Sequence, residues 1–359
     1  MDNSNNSLQS VKPIRFKSAG HDDNLCGWFF PATRQQETNF QSALQAKPVS
    51  TKNPAITIVF IHATGFCAST YKQVFANNQF DVDIFAPDMR GHGKTGLPTD
   101  PKRLKSWSIY SEDINAFLDN LKNGKVLQGE GAIPDKQFDA ISGPILLAGH
   151  SMGAVTALMA SKNRDDIVGA AMIEPVIIPD IVSKFAASPL WSQVASRFPI
   201  AVKAEQRRNR WDSRDAVFES YKQKPIFANW HDGILLDYLE DGLRPIGHEN
   251  CDEGASGVEL CCAPSWEAAT FRAQANSFWS ALRALTNANH KSDLDRRALP
   301  IHVLAGRVKG STISAHAEAQ LHKVGIKTIR EEKYGHLLPM ENPALAARFL
   351  KNVIAALRA

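Results

Sequence analysis

The segment Gly149-His150-Ser151-Met152-Gly153 could carry nucleophilic chemistry, because a serine with glycine two places away on each side fits a turn too tight for larger neighbours. The apolar run Pro144-Ile145-Leu146-Leu147-Ala148 precedes it, and the helix-like Ala154-Val155-Thr156-Ala157-Leu158-Met159-Ala160 follows. A strand that enters a helix through such a turn presents its serine hydroxyl at the carboxyl end of the sheet, where open α/β sheets bind ligands. Away from that context the same five residues would read as a plain glycine turn. A serine hydroxyl is a weak nucleophile near neutral pH and needs a base within hydrogen-bond reach. His336 suits that role, in Tyr334-Gly335-His336-Leu337-Leu338-Pro339-Met340, between the strand-like Lys327-Thr328-Ile329-Arg330 and a C-terminal helix. His302 falls inside a strand-like run, and His316 and His322 fall on a helical, solvent-leaning segment, so these read as structural. Attack on a carbonyl also creates an oxyanion, which needs two fixed N–H donors. Met152 supplies one, and His62-Ala63-Thr64-Gly65-Phe66 supplies the other from Ala63 or Thr64.

The elements that must position these groups show in the hydrophobic pattern. Short runs rich in Val, Ile and Ala alternate with segments of helical period, as in a buried parallel sheet flanked by helices. The runs are 55–61, 82–86, 144–148, 167–173 and 299–305. Upstream, 14–30 reads as an antiparallel hairpin turning at Gly20-His21-Asp22-Asp23. The stretches 34–53 and 121–142 lack strong period and read as surface loops. From Pro175 to Pro264 the texture changes to many aromatics and scattered charge without a parallel strand, which predicts a helical insertion of residues 175–264 in a core made of 1–174 and 265–359. Trp191, Trp211, Trp230 and Tyr238 there would line an apolar pocket or pack the insertion itself.

Asp88-Met89-Arg90-Gly91-His92-Gly93 looks like a turn of the α/β-hydrolase superfamily, and the segments around Ala63, Ser151 and His336 match its other landmarks in order. The resemblance spans about residues 14 to 357. It implies an eight-stranded, mostly parallel sheet with a helical cap after the sixth strand. Members usually carry an Asp after the seventh strand, but here Gly306-Arg307-Val308-Lys309-Gly310-Ser311-Thr312 holds no carboxylate. Some members, such as certain haloalkane dehalogenases, place the acid after the sixth strand instead, where Ile173-Glu174-Pro175 stands. Glu174 is therefore the expected acid, with Asp180 in reserve. A purely structural Glu174 would cap the entry to the insertion or pair with Arg90.

These residues point to a serine hydrolase acting on a carboxylic ester, or a related acyl bond, of a small to medium, largely apolar substrate. Lactonase, thioesterase or carbon-carbon bond hydrolase activity would use the same groups. A silent scaffold serving as a ligand sensor is the alternative of another class, since fold alone does not guarantee chemistry. No metal or organic cofactor is required. The 359 residues carry a formal net charge of +4 with Lys and Arg scattered among acids, which gives no nucleic-acid signature. Nor is any stretch apolar over the roughly 18 residues a membrane span needs. The polar start and an odd count of five cysteines, without metal spacing, suit a cytoplasmic chain with reduced thiols, monomeric or homodimeric.

Overall fold

The computed structural model describes residues 11–17, 24–33, 55–76, 79–129, 136–186, 188, 190–247, 256–273, 277–286, 298–308 and 310–359. The expected turn at 20–23, the whole of the loop 34–53 and Cys251 lie outside these residues.

Among the described residues the main sheet has ten strands, of which eight have four residues or more: β1 (Lys12–Lys17), β2 (Asn24–Phe30), β3 (Thr57–Ile61), β4 (Ile84–Pro87), β5 (Ile145–His150), β6 (Ile167–Ile173), β7 (Ile301–Gly306) and β8 (Thr328–Glu331). Their order is β8-β7-β6-β5-β3-β4-β2-β1. The six from β8 to β4 run parallel, while β2 is antiparallel to both β4 and β1. Two short strands, Leu127–Gln128 and Lys136–Gln137, extend the sheet beyond β1 within the stretch expected to be loop. Two residues are too few to show a period of two, which is why the sequence pattern passes over them.

The alternation of side chains along each strand builds two cores. Val59, Ile61, Ile145, Leu147 and Val303 face one side, against α1 (Ser108–Lys122), α2 (Met152–Ala160) and a later helix, Phe278–Thr286. Ile58, Phe60, Leu146, Ala148 and Leu304 face the other, against the C-terminal helix Pro343–Arg358. Every residue of β3 and β5 is buried, as expected for central strands covered on both faces.

Between β6 and β7 the chain forms the helices Asp180–Phe185, Trp191–Ala195, Pro199–Glu205, Arg214–Lys222, Ile234–Gly242 and Pro264–Arg272 before Phe278–Thr286. It also holds a small antiparallel sheet in which Val258–Leu260 lies between Arg210–Trp211 and Leu243–Pro245. A small cluster of this region's own gathers Ala201, Ala204 and Ala268 with Phe198 and Phe271, but most of its large aromatics pack elsewhere. Trp211, Tyr221, Trp230 and Tyr238 join the second core together with Phe60 and Tyr71. Among the described residues no helix is long and apolar enough to cross a membrane. Cys67, Cys261 and Cys262 are free thiols, and burial pushes Cys261 up to about 12.

Candidate active site

Ser151 sits between the end of β5 and the start of α2, with φ 57° and ψ −121°. The residue is buried at 6% exposure, and its N–H donates to the Ile173 carbonyl at 3.0 Å. The flanking glycines are required by contact. A Cβ on Gly149 would lie 2.5 Å from the backbone of Gly153, and one on Gly153 would overlap the carbonyl oxygens of Ile61 and His62. Backbone cannot yield as a side chain can, so Gly153→Ala is expected to cost about 2–4 kcal/mol. Urea unfolding would measure this, with Gly96→Ala as the near-neutral control, because a Cβ there meets only the Asn24 carbonyl oxygen at 4.0 Å.

Glu174 follows β6 directly and also has a positive φ, 46°. Four non-glycine residues among those described do so, and two are the expected nucleophile and acid. Left-handed backbone at such residues persists only where the surroundings enforce it, and it collects at functional sites. The Glu174 carboxylate is fully buried, and its Oε2 lies 3.4 Å from His336 Nδ1. Its Oε1 accepts from the Gly306 amide at 2.5 Å and from the Ser311 hydroxyl at 2.9 Å. Its Oε2 also accepts from the Thr312 amide at 2.9 Å. Burial pushes this carboxyl up, but the bonds from His336 and from the Thr312 and Gly306 amides outweigh it and hold it at about 2. The loop that lacks an Asp is therefore the cradle of Glu174. Arg330 braces that loop by donating to the Gly306 carbonyl at 2.7 Å and to the Ile313 carbonyl at 3.1 Å.

Asp180, by contrast, pairs with Lys184 at 3.1 Å and Arg283 at 3.5 Å, and Arg90 pairs with Asp113, not with Glu174. Neither the reserve acid nor the Arg90 pairing is therefore realised. The His336 side chain is 26% exposed. With Nδ1–H directed at Glu174, its Nε2 is left as the acceptor. Among the described residues no hydrogen bond joins Ser151 to the His336 ring. Catalytic hydrogen bonds are often long until a substrate closes them.

The Thr64 hydroxyl lies 3.3 Å from the Met152 sulfur, which brings the two expected donor segments together. The Ala63 amide, however, donates to the Tyr71 hydroxyl at 3.1 Å, and the Gly65 amide donates to His92 Nε2 at 3.0 Å. Of the two alternatives for the second donor, Thr64 is the one whose amide has no acceptor among the described residues.

A relay that no sequence motif signals links this loop to His336. Tyr71 accepts from Ala63 and donates to His150 Nδ1 at 2.8 Å, and His150 Nε2 donates to the His336 carbonyl at 2.7 Å. Burial, with His336 close by, pushes the His150 ring down to about 3, so it stays neutral and keeps one donor and one acceptor nitrogen. His150 was visible only as the variable place in the glycine-serine turn. Of the four aromatics expected near a pocket, Trp211, Trp230 and Tyr238 are core residues, whereas Trp191 lines a cavity of about 470 Å³ with Lys102, Leu104 and Arg272. Neither Ser151, Glu174 nor His336 lines that cavity.

Compared with known proteins, residues 58–349 match the sequence model of the alpha/beta hydrolase family. The chain is 20% identical over 289 residues to 3-oxoadipate enol-lactonase 2 of Acinetobacter baylyi, covering 80% of this chain and 84% of that one. It is 29% identical over 123 residues to the uncharacterized protein YqjL of Bacillus subtilis, a match that spans 34% of this chain and only 40% of YqjL. Among solved structures, E-2-(acetamidomethylene)succinate hydrolase superposes with a TM-score of 0.61 at 15% identity, over 95% of this chain and 98% of that one. At that identity the likeness concerns the fold.

Proposed function

Because the chain belongs to the alpha/beta hydrolase family, we propose that it is a serine hydrolase that cleaves a carboxylic ester, or a related acyl bond, through an acyl-enzyme. The observation that carries this reading is the buried Glu174 carboxylate directed at Nδ1 of His336, whose own backbone carbonyl accepts from His150, the residue beside Ser151. His336 Nε2 takes the Ser151 proton as Oγ bonds to the carbonyl carbon. The amides of Met152 and Thr64 hold the oxyanion. The proton then passes to the leaving oxygen, and the alcohol departs. Water, deprotonated by His336, attacks the acyl-enzyme, and the carboxylic acid is released as Ser151 recovers its proton. Glu174 fixes the imidazole and stabilises its charged form without taking the proton. Residues 175–264 would serve as the cap that selects the substrate.

A lactone is the second substrate to consider, since one relative is an enol-lactonase by name and the same residues would open a cyclic ester. The test is a panel of p-nitrophenyl esters of increasing acyl length together with simple lactones. Turnover of at least one member is expected, with a preference that sizes the acyl site. Silence on the whole panel, combined with an unreactive Ser151, would favour a ligand sensor on the same fold.

A further inference from the structure

Arg207 lies in the segment between β6 and β7, yet its guanidinium reaches the loop that carries Thr64. A Cβ built on Gly65, whose φ is +79°, would lie 2.6 Å from Glu267 Oε1 and 3.9 Å from Arg207 Nη1. No side chain therefore separates this ion pair from the oxyanion loop. Arg207 Nη1 donates to Glu267 Oε2 at 2.6 Å, and Nη2 donates to the Tyr221 hydroxyl at 2.8 Å. A guanidinium has five N–H groups. The other three have no acceptor among the described residues, the side chain is 26% exposed, and none of its nitrogens is both buried and unpaired. Its Nε, which makes no hydrogen bond among the described residues, therefore reaches accessible space.

Two further cations share the patch. Lys224 Nζ lies 4.2 Å from the centre of the same Tyr221 ring, and Arg208 lies 5.1 Å from that of Trp211. Among the described residues Glu267 is the one carboxylate paired with Arg207. Beside the patch and the oxyanion loop lies an aromatic cluster, in which Phe66 meets Trp230 and Tyr238 edge-on, each at 5.6 Å, and Phe227 stacks on Tyr221 at 4.8 Å. A buried Arg–Glu pair adds little stability over an apolar pair. A planar guanidinium with a free edge binds a carboxylate through paired hydrogen bonds.

We propose that Arg207, supported by Lys224 and Arg208, recognises a carboxylate at the far end of an otherwise apolar acyl chain whose carbonyl lies at Ser151. This rests on the reading of Ser151 as the acyl-transfer nucleophile. The full-length protein would be given two substrates, the p-nitrophenyl monoester of glutaric acid and the same ester with its free carboxyl methylated. The ratio of their kcat/KM values is the readout, because it is internal to each variant and independent of the folded fraction. The expected ratio is about 10–100 in favour of the charged ester, the range of a charge-assisted pair. Arg207→Gln should bring it close to one. Glu267→Gln, which keeps the shape and an acceptor but removes the opposing charge, should raise it severalfold. A ratio of one or less in the unaltered protein, an unchanged ratio in Arg207→Gln, or a fall in Glu267→Gln would overturn the proposal. Where neither ester turns over, protection of Ser151 against a fluorophosphonate by glutarate, relative to its diamide, gives the same ratio with the same outcomes. Labelled Ser151 without charge preference would sink this inference alone, whereas an unreactive Ser151 would remove the hydrolase reading beneath it.

Discussion

Ser151→Ala is expected to lower kcat by roughly 10⁴ to 10⁶-fold on any ester the protein accepts, while substrate affinity changes little. The substitution removes one oxygen from a buried residue whose backbone already sits at φ 57°. The fold should therefore persist, and urea unfolding should place the variant within about 1 kcal/mol of the parent. What remains is whatever the Met152 and Thr64 amides contribute to water attack on a bound carbonyl. Steady-state kinetics checks this directly. A variant that kept more than about a hundredth of the parent activity would show that the acyl group is carried elsewhere.

Glu174→Gln is expected to lower kcat by about 10² to 10⁴-fold. The amide is isosteric, but it can present an N–H to His336 Nδ1, which favours the ring with its proton on the wrong nitrogen. The amide must also sit among the Gly306 and Thr312 N–H groups and the Ser311 hydroxyl, which all donate to the carboxylate now present. One of these donors then faces an N–H and loses its acceptor, so stability should fall as well. The pH dependence has a definite sign. The carboxyl is held at about 2, below its ordinary value of 4.5, so its ionised form stabilises the fold fully above pH 4.5. That contribution declines as pH falls toward 2. The stability gap between the parent and Glu174→Gln should hence be constant above about pH 5 and shrink below it. Urea midpoints from pH 3 to pH 7 test this, and a gap that widened toward acid would contradict the assignment of a depressed carboxyl.

The parts of the site that the sequence made readable are those written in short range. Gly149, Ser151 and Gly153 are tied to a strand before and a helix after, and the structure turns there for the steric reason that the spacing suggested. The strand pattern was equally local, because Ile58 and Phe60 alternate with Val59 and Ile61 between two cores. Glu174 came from a different kind of inference, the absence of a carboxylate after β7, and the structure places it 3.4 Å from His336 although 162 residues separate them. What stayed hidden was long-range and polar. Ser311 and Thr312 gave no sign that they would bind a glutamate 137 and 138 residues earlier, and nothing around Tyr71 pointed to His150. Side-chain partners at such separations leave no period behind. The insertion shows the same limit, since its aromatics suggested either a pocket or a private core, and three of the four instead complete the core beneath the sheet.

The most direct test of the central claim is covalent. The intact protein would be treated with a fluorophosphonate, digested, and mapped by mass spectrometry, with Ser151→Ala treated in parallel. A single adduct on the peptide that contains Ser151, absent from the variant and slowed in Glu174→Gln, is the predicted result. An adduct on another residue, or none at all from a folded protein, would contradict Ser151 as an activated nucleophile.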